Sequence, residues 1–281
     1  MNGQTRLIGV FGWPVGHSRS PQMHNAGFKK LGLNLAYVPL PVAPENLKEA
    51  VAGLRAFNFL GANVTLPHKE SIIRYLDSVS PESRRIGAVN TIVNRNGRLH
   101  GTTTDPEGFL KAVTQKMNLT KATPITLMGA GGTARTLLFA LLERRCADIV
   151  LACRTPRKAK RLLSDARKHF RARIIPLLTL WTPAFAARMA KTALLINCTP
   201  VGMSPRPDAI PLSPVLLHKS LTVFDTVYNP LKTRLLAETE KRGGRAVSGL
   251  DMLIYQGLAS FKLWTGKKAD YATFRKGALL E

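Results

Sequence analysis

Cysteine is scarce: the 281 residues contain three, Cys146, Cys153 and Cys198. An odd number without a closely spaced pair excludes a disulfide framework and a zinc knuckle. The thiols read as reduced packing residues, and no metal site is expected. Acidic side chains are also few, 17 against 41 lysines and arginines, for a formal net charge of +24. Aromatics make up 7% of the chain and do not interleave with the basic clusters at 154–161, 167–173 and 242–245. That excludes the stacking platform of a single-strand nucleic-acid binder, so no specific nucleic-acid partner is expected. The charge still favours anionic partners, among them a phosphorylated cofactor and a carboxylate substrate. No apolar run approaches the roughly 18 residues that cross a bilayer, and the N-terminal apolar stretch is broken at Gly12, Trp13 and Pro14. A cytoplasmic chain without a membrane partner is the expectation. Low-complexity segments and internal repeats are missing, and apolar residues at 45% place the chain with globular proteins.

What is present is alternation. Short β-rich apolar runs and amphipathic stretches follow one another, the pattern of an α/β protein with mostly parallel sheets. The first set comprises strands at 6–12, 35–42 and 62–66, a helix opening at Ser20 and a helix at 44–57. Residues 89–94 and 98–102, joined by Asn96-Gly97, read as a hairpin leading into a helix at 105–117. The polar segment 118–124 is a linker, and strands at 125–128, 149–153, 194–198 and 221–226 then alternate with helices in the manner of a doubly wound nucleotide-binding domain. A last helix at 250–266 is expected to return to the first domain. The division is therefore 1–117 with 250–281 as an α/β substrate-binding catalytic domain, and 118–249 as a Rossmann-like dinucleotide-binding domain.

The strand at 125–128 runs into Gly129-Ala130-Gly131-Gly132-Thr133-Ala134 and then a helix. Gly129 permits a tight turn, Gly131 lets the backbone approach a pyrophosphate, Ala134 fills the close-packing position, and the helix N-terminus offers amide donors. An NAD site places an acid about 20 residues on, to hold the ribose 2′-hydroxyl. This chain has Cys153-Arg154-Thr155-Pro156-Arg157 there. A guanidinium at Arg154, with donors at Thr155 and Arg157, suits the 2′-phosphate of NADP.

Three polar clusters stand at strand or loop ends of the first domain. Ser18 and Ser20 flank Arg19 ahead of Pro21, where a helix N-terminus and two hydroxyls suit a carboxylate; an N-cap role accounts for Ser20 alone. Alternation along the third strand sends Asn63 and Thr65 to one face, with Lys69 just beyond its end. Gly87-Ala88-Val89-Asn90-Thr91 and Gly101-Thr102-Thr103-Thr104-Asp105 form the third cluster.

With these motifs, together with Asn197-Cys198-Thr199-Pro200-Val201-Gly202-Met203 and Gly249-Leu250-Asp251-Met252-Leu253 followed by Gln256, the chain resembles the shikimate dehydrogenase family over almost its whole length. The resemblance implies NADP as cofactor and the interconversion of 3-dehydroshikimate and shikimate. It implies that Ser18 and Ser20 bind the substrate carboxylate with Tyr228 nearby, and that Asn63, Thr65, Lys69, Asn90, Asp105 and Gln256 hold ring hydroxyls. Lys69 and Asp105 would be the catalytic pair beside the nicotinamide, with Cys153, Thr226 and Gly249 among the residues around the cofactor. The sequence departs from the family pattern at Thr103, Pro106, Cys153 and Thr226, where Asn, Gly, Asn and Met are usual. Oxidation of quinate or a related polyhydroxylated acid is the alternative activity, and either a monomer or a homodimer fits.

Overall fold

The computed structural model describes residues 1–170 and 175–280; residues 171–173 of the basic cluster at 167–173 lie outside the described residues. The chain forms two compact units, Met1–Gly108 with Ile254–Glu281, and Phe109–Leu253.

In the first unit the elements are β1 (Arg6–Gly12), α1 (Ser20–Lys30), β2 (Leu35–Pro41), α2 (Leu47–Ala56), β3 (Gly61–Val64), β4 (Ser78–Val79), α3 (Pro81–Ile86), β5 (Thr91–Arg95) and β6 (Arg98–Thr102), with α4 (Asp105–Thr114) leading out. The strand order is β2-β1-β3-β5-β6-β4. β1 pairs in parallel with β2 and β3, whereas β5 runs antiparallel to both β3 and β6. The β5–β6 hairpin turns where Asn96 and Gly97 take φ of 54° and 84°, the left-handed pair that such two-residue turns require. Leu47, Val51 and Leu54 recur at helical spacing on α2 and are buried against Phe11, Phe59, Val64 and Ile92 of the core. Burying each such side chain contributes roughly 1.5–3 kcal/mol. β2 is an edge, and Pro39 and Pro41 blunt it.

The second unit contains β7 (Ile125–Met128), α5 (Gly132–Glu143), β8 (Ile149–Cys153), α6 (Pro156–Phe170), β9 (Leu177–Thr179), α7 (Pro183–Met189), β10 (Leu194–Asn197), β11 (Thr222–Asp225), α8 (Arg234–Lys241) and β12 (Arg245–Ser248). Among the described residues, its six strands lie in the order β12-β11-β10-β7-β8-β9, every pair parallel. Read in reverse, this is the doubly wound order, with its switch point between β7 and β10. All four residues of β7, β10 and β11 and all five of β8 are buried, as parallel strands covered on both faces must be. The chain then enters α9 (Gly249–Thr265) and α10 (Tyr271–Ala278).

The two compact units meet in sequence between Gly108 and Phe109 of α4 and between Leu253 and Ile254 of α9. The Phe109 ring, 5.1 Å from that of Phe224, belongs to the packing of the second unit. The third strand ends at Val64, earlier than alternation suggested, and leaves Thr65 at the start of the loop. Among the described residues, no helix is long and apolar enough to cross a membrane.

Candidate active site

Lys69 stands in the loop beyond β3 and Asp105 is the first residue of α4. Lys69 Nζ donates to Asp105 Oδ2 at 2.6 Å, with side-chain exposures of 27% and 10%. The other carboxylate oxygen accepts from Asn90 Nδ2 at 2.8 Å. The carboxylate is therefore fixed at both oxygens, and its place at a helix N-terminus is electrostatically favourable. The loop that carries Lys69 is tied down by its own carbonyl, which accepts from Val89 N at 2.8 Å.

Behind the pair lies a buried polar network. Asn90 Nδ2 also reaches Thr104 Oγ1 at 3.0 Å and Gln256 Oε1 at 3.2 Å, and Asn90 Oδ1 accepts from Thr104 N and Thr91 Oγ1, both at 2.8 Å. Asn63 Nδ2 faces Asn90 O at 3.0 Å and the hydroxyls of Thr91 and Ser260 at 3.2 Å. Ser260 lies one helical turn after Gln256 on α9 and bonds Thr91 at 2.8 Å and Thr104 at 3.1 Å. Of the residues the sequence singled out, Lys69, Asp105, Asn90, Gln256 and Asn63 are thus joined by hydrogen bonds. Tyr37, Thr91, Thr104 and Ser260 complete the set without having been assigned a role. For Ser260 a signal existed, since a serine four residues after Gln256 shares its helix face; for Tyr37 none did.

Ser20 is not the N-cap of α1. Arg19 holds that position, without a side-chain cap, and Ser20 begins the helix ahead of Pro21, which suits proline's missing N–H and fixed φ. The Ser20 hydroxyl is therefore free of capping, and Ser20 N donates to Ser18 Oγ at 3.3 Å. Thr65 is half-buried at the end of the strand it follows.

In the second unit, Gly129 takes φ of +106° at the end of β7, where a Cβ would come within 3.0 Å of the Cys198 carbonyl across the switch point. Gly131 is the N-cap of α5 in extended backbone, and a Cβ there would meet nothing within 4 Å. Gly131 and Gly132 are exposed, Ala130 and Thr133 on either side of them are half-buried, and Ala134 is buried. Open space over bare backbone at a helix N-terminus is the cradle a pyrophosphate needs. Arg154, Thr155 and Arg157 are exposed at the end of β8 and the start of α6, next to the buried Cys153. Burial pushes the Cys153 thiol up. The residues present fit a dinucleotide with an added phosphate. Gly249 opens α9 so close to Thr226 that a Cβ would lie 2.4 Å from the Thr226 carbonyl oxygen. Tyr228 is half-buried in the loop after β11.

That loop is anchored by Asp225, which the sequence reading passed over. Fully buried, Asp225 accepts from Asn197 Nδ2 at 3.0 Å, Val227 N at 3.1 Å and Thr233 Oγ1 at 2.6 Å. Burial pushes its carboxyl up, and these three donors pull the other way. No group of three or more His, Cys, Asp or Glu with metal-binding geometry occurs among the described residues.

A doubly wound dinucleotide unit joined to a second α/β unit that holds a lysine–carboxylate pair in a polar network defines a class, the two-domain α/β oxidoreductases. Residues 10–92 match the family model described as the shikimate dehydrogenase substrate binding domain, and residues 249–278 that of the shikimate 5'-dehydrogenase C-terminal domain. The NADP(+) shikimate dehydrogenase of Moorella thermoacetica is 44% identical over 273 residues, covering 97% of this chain and 92% of that protein. A solved shikimate dehydrogenase in complex with NADP+ aligns with a TM-score of 0.93 at 37% identity, covering 99% of this chain and 96% of that one. Shikimate 5-dehydrogenase from Thermus thermophilus, in complex with NADP(H) and shikimate, aligns with a TM-score of 0.86 at 36% identity, covering 97% and 98%. The chain belongs to the shikimate dehydrogenase family.

Proposed function

We propose that this chain catalyses the reversible, NADP-dependent reduction of 3-dehydroshikimate to shikimate, a step towards chorismate and the aromatic amino acids. The observation that carries the reading is the 2.6 Å Lys69–Asp105 pair set against Asn63, Asn90 and Gln256, in a family with a solved member that holds NADP(H) and shikimate. Bound NADPH supplies the hydride to the ring carbonyl carbon. As charge grows on the carbonyl oxygen, the Lys69 ammonium donates a proton to it. Solvent reaches the 27%-exposed lysine side chain and restores that proton. Asp105, held at both oxygens, keeps the ammonium aimed, and the reverse steps oxidise shikimate. Asn63, Thr65, Asn90 and Gln256 hold the ring hydroxyls. Ser18 and Ser20, at the N-terminus of α1, bind the carboxylate with Tyr228.

In the second unit, the turn of Gly129, Ala130, Gly131, Gly132 and Thr133 binds the pyrophosphate, with Ala134 buried beneath it as the close-packing residue of the cofactor site, while Arg154, Thr155 and Arg157 hold the 2′-phosphate. Cys153, Thr226 and Gly249 shape the surroundings of the dinucleotide. Residues 1–117 with 250–281 serve as the substrate-binding catalytic domain and 118–249 as the dinucleotide-binding domain. The protein works in the cytoplasm, as a monomer or homodimer, without a specific nucleic-acid partner.

The test is oxidation of shikimate and of quinate, each with NADP and NAD. The expected order has shikimate with NADP first. Quinate carries an additional hydroxyl beside the carboxylate, and leaving it without a partner costs roughly 1–3 kcal/mol. Equal turnover of quinate and shikimate would replace this reading with the quinate activity, and equal use of NAD would remove the role given to Arg154.

A further inference from the structure

Tyr37 lies at 2% exposure on the edge strand β2, and its position is held on every side. On the open edge of the strand, the Asn25 side chain takes the place of a neighbouring strand: Asn25 Oδ1 accepts from Tyr37 N at 2.8 Å, and Asn25 Nδ2 donates to Tyr37 O at 2.9 Å. The ring stacks on His24 with centroids 4.5 Å apart and planes at 8°. A phenylalanine would fill that slot equally well, and burying a hydroxyl without using it is costly.

The hydroxyl is used. Tyr37 OH donates to Asn63 Oδ1 at 2.7 Å. The direction of that bond is fixed from the far side, because Asn63 Nδ2 faces the Asn90 carbonyl, which can only accept. Oδ1 therefore faces Tyr37, and the single phenolic proton is committed to it. Burial pushes the phenol well above its ordinary range, so it stays protonated and donates. One buried hydroxyl thus holds an asparagine assigned to a ring hydroxyl. The inward donors of Asn63 are occupied, so the atom it offers a ligand is Oδ1, beside Tyr37.

We propose that Tyr37 is a positioning residue of the substrate site, its hydroxyl setting the carboxamide of Asn63 for the substrate. The proposal rests on the shikimate reading above. Contacts held equally in the ground and transition states appear in KM rather than kcat.

The experiment is steady-state kinetics of Tyr37→Phe, alone and combined with Asn63→Ala, alongside thermal melting. Tyr37→Phe should raise KM for shikimate roughly 5- to 30-fold, the span for one lost buried hydrogen bond. It should leave kcat within about threefold and KM for NADP unchanged. Added to Asn63→Ala, it should cost much less than it does alone, because the two groups act as one. A lowered melting temperature with an unchanged KM for shikimate overturns the proposal, as do equal rises in both KM values or fully multiplicative effects. Failure of the wild-type protein to oxidise shikimate would remove the underlying reading and the proposal with it. An active wild type with an indifferent Tyr37→Phe removes the proposal alone.

Discussion

Lys69 and Asp105 are 36 positions apart in sequence and 2.6 Å apart in space, so in the proposed reaction neither group would act without the other. Lys69→Ala should lower kcat by roughly 10²- to 10⁴-fold, the span for a positioned acid or base, with a smaller change in KM. Adding Asp105→Asn should then cost far less than the product of the single losses; fully multiplicative losses would show two independent contributions. A second residue-scale consequence concerns His24. It is fully buried among Tyr37, Trp264, Phe261 and Phe274, neither ring nitrogen has a hydrogen-bond partner among the described residues, and burial lowers its pKa from 6.5 to about 3. The folded state keeps the ring neutral while the unfolded chain protonates it. Stability is therefore whole above pH 6.5 and declines as pH falls from 6.5 towards 3. The slope is at most about 1.4 kcal/mol per pH unit. Urea melts at about pH 7 and about pH 5, above the range in which carboxylates titrate, should show the decline, and His24→Phe should flatten it. A variant with the wild-type slope would place the acid sensitivity elsewhere.

At the scale of elements, the glycine turn before α5 separates the needs of the fold from those of the ligand. Gly131 has φ of −88°, which any residue adopts, and open space beside it. Gly131→Ala should melt at the wild-type temperature and bind NADP at least about tenfold more weakly, because the added methyl occupies the side from which the phosphates approach. Gly129→Ala, forced into a φ of +106° against the Cys198 carbonyl, should destabilise the unit itself by more than about 1 kcal/mol. Calorimetry beside NADP titration reads both. The turn was legible in the sequence because all its parts are contiguous: strand, glycines, helix. The same holds for the Asn96-Gly97 hairpin and for the loop that carries Lys69. The two-residue β4 and the short β9 were not legible, since neither repeats often enough to show a period. Ser20 failed as an N-cap because a serine followed by proline fits either the cap or the first helical position. Tyr37 was not legible for a different reason, and Ser260 only through its shared helix face with Gln256. Their meaning lies in hydrogen bonds spanning 26 and 197 positions, to Asn63, and Asp225 likewise becomes an anchor only once Asn197 and Thr233 are beside it.

At the scale of the whole molecule, the charge of +24 gives a long-range attraction for a carboxylate substrate and a phosphorylated cofactor. Screening shortens its reach from about 30 Å at 0.01 M to about 3 Å at 1 M salt. kcat/KM for shikimate and for NADP should therefore fall steeply with added sodium chloride, while kcat at saturation stays nearly constant. Flat kcat/KM values across that range would mean that the charge plays no part in capture. The path of the chain has a different consequence. The first unit is closed by a segment that returns after the second unit has been completed. That segment supplies Gln256 and Ser260 to the polar network and Trp264, whose Nε1 donates to Ile92 O at 2.8 Å. During translation, the pockets of Asn63, Asn90 and Thr91 emerge from the ribosome long before their last partners do. Domains generally fold as units during synthesis, and the second unit has its whole sequence made while the first still lacks its closing segment. A nascent chain can therefore gain the grip on NADP before it gains the grip on shikimate.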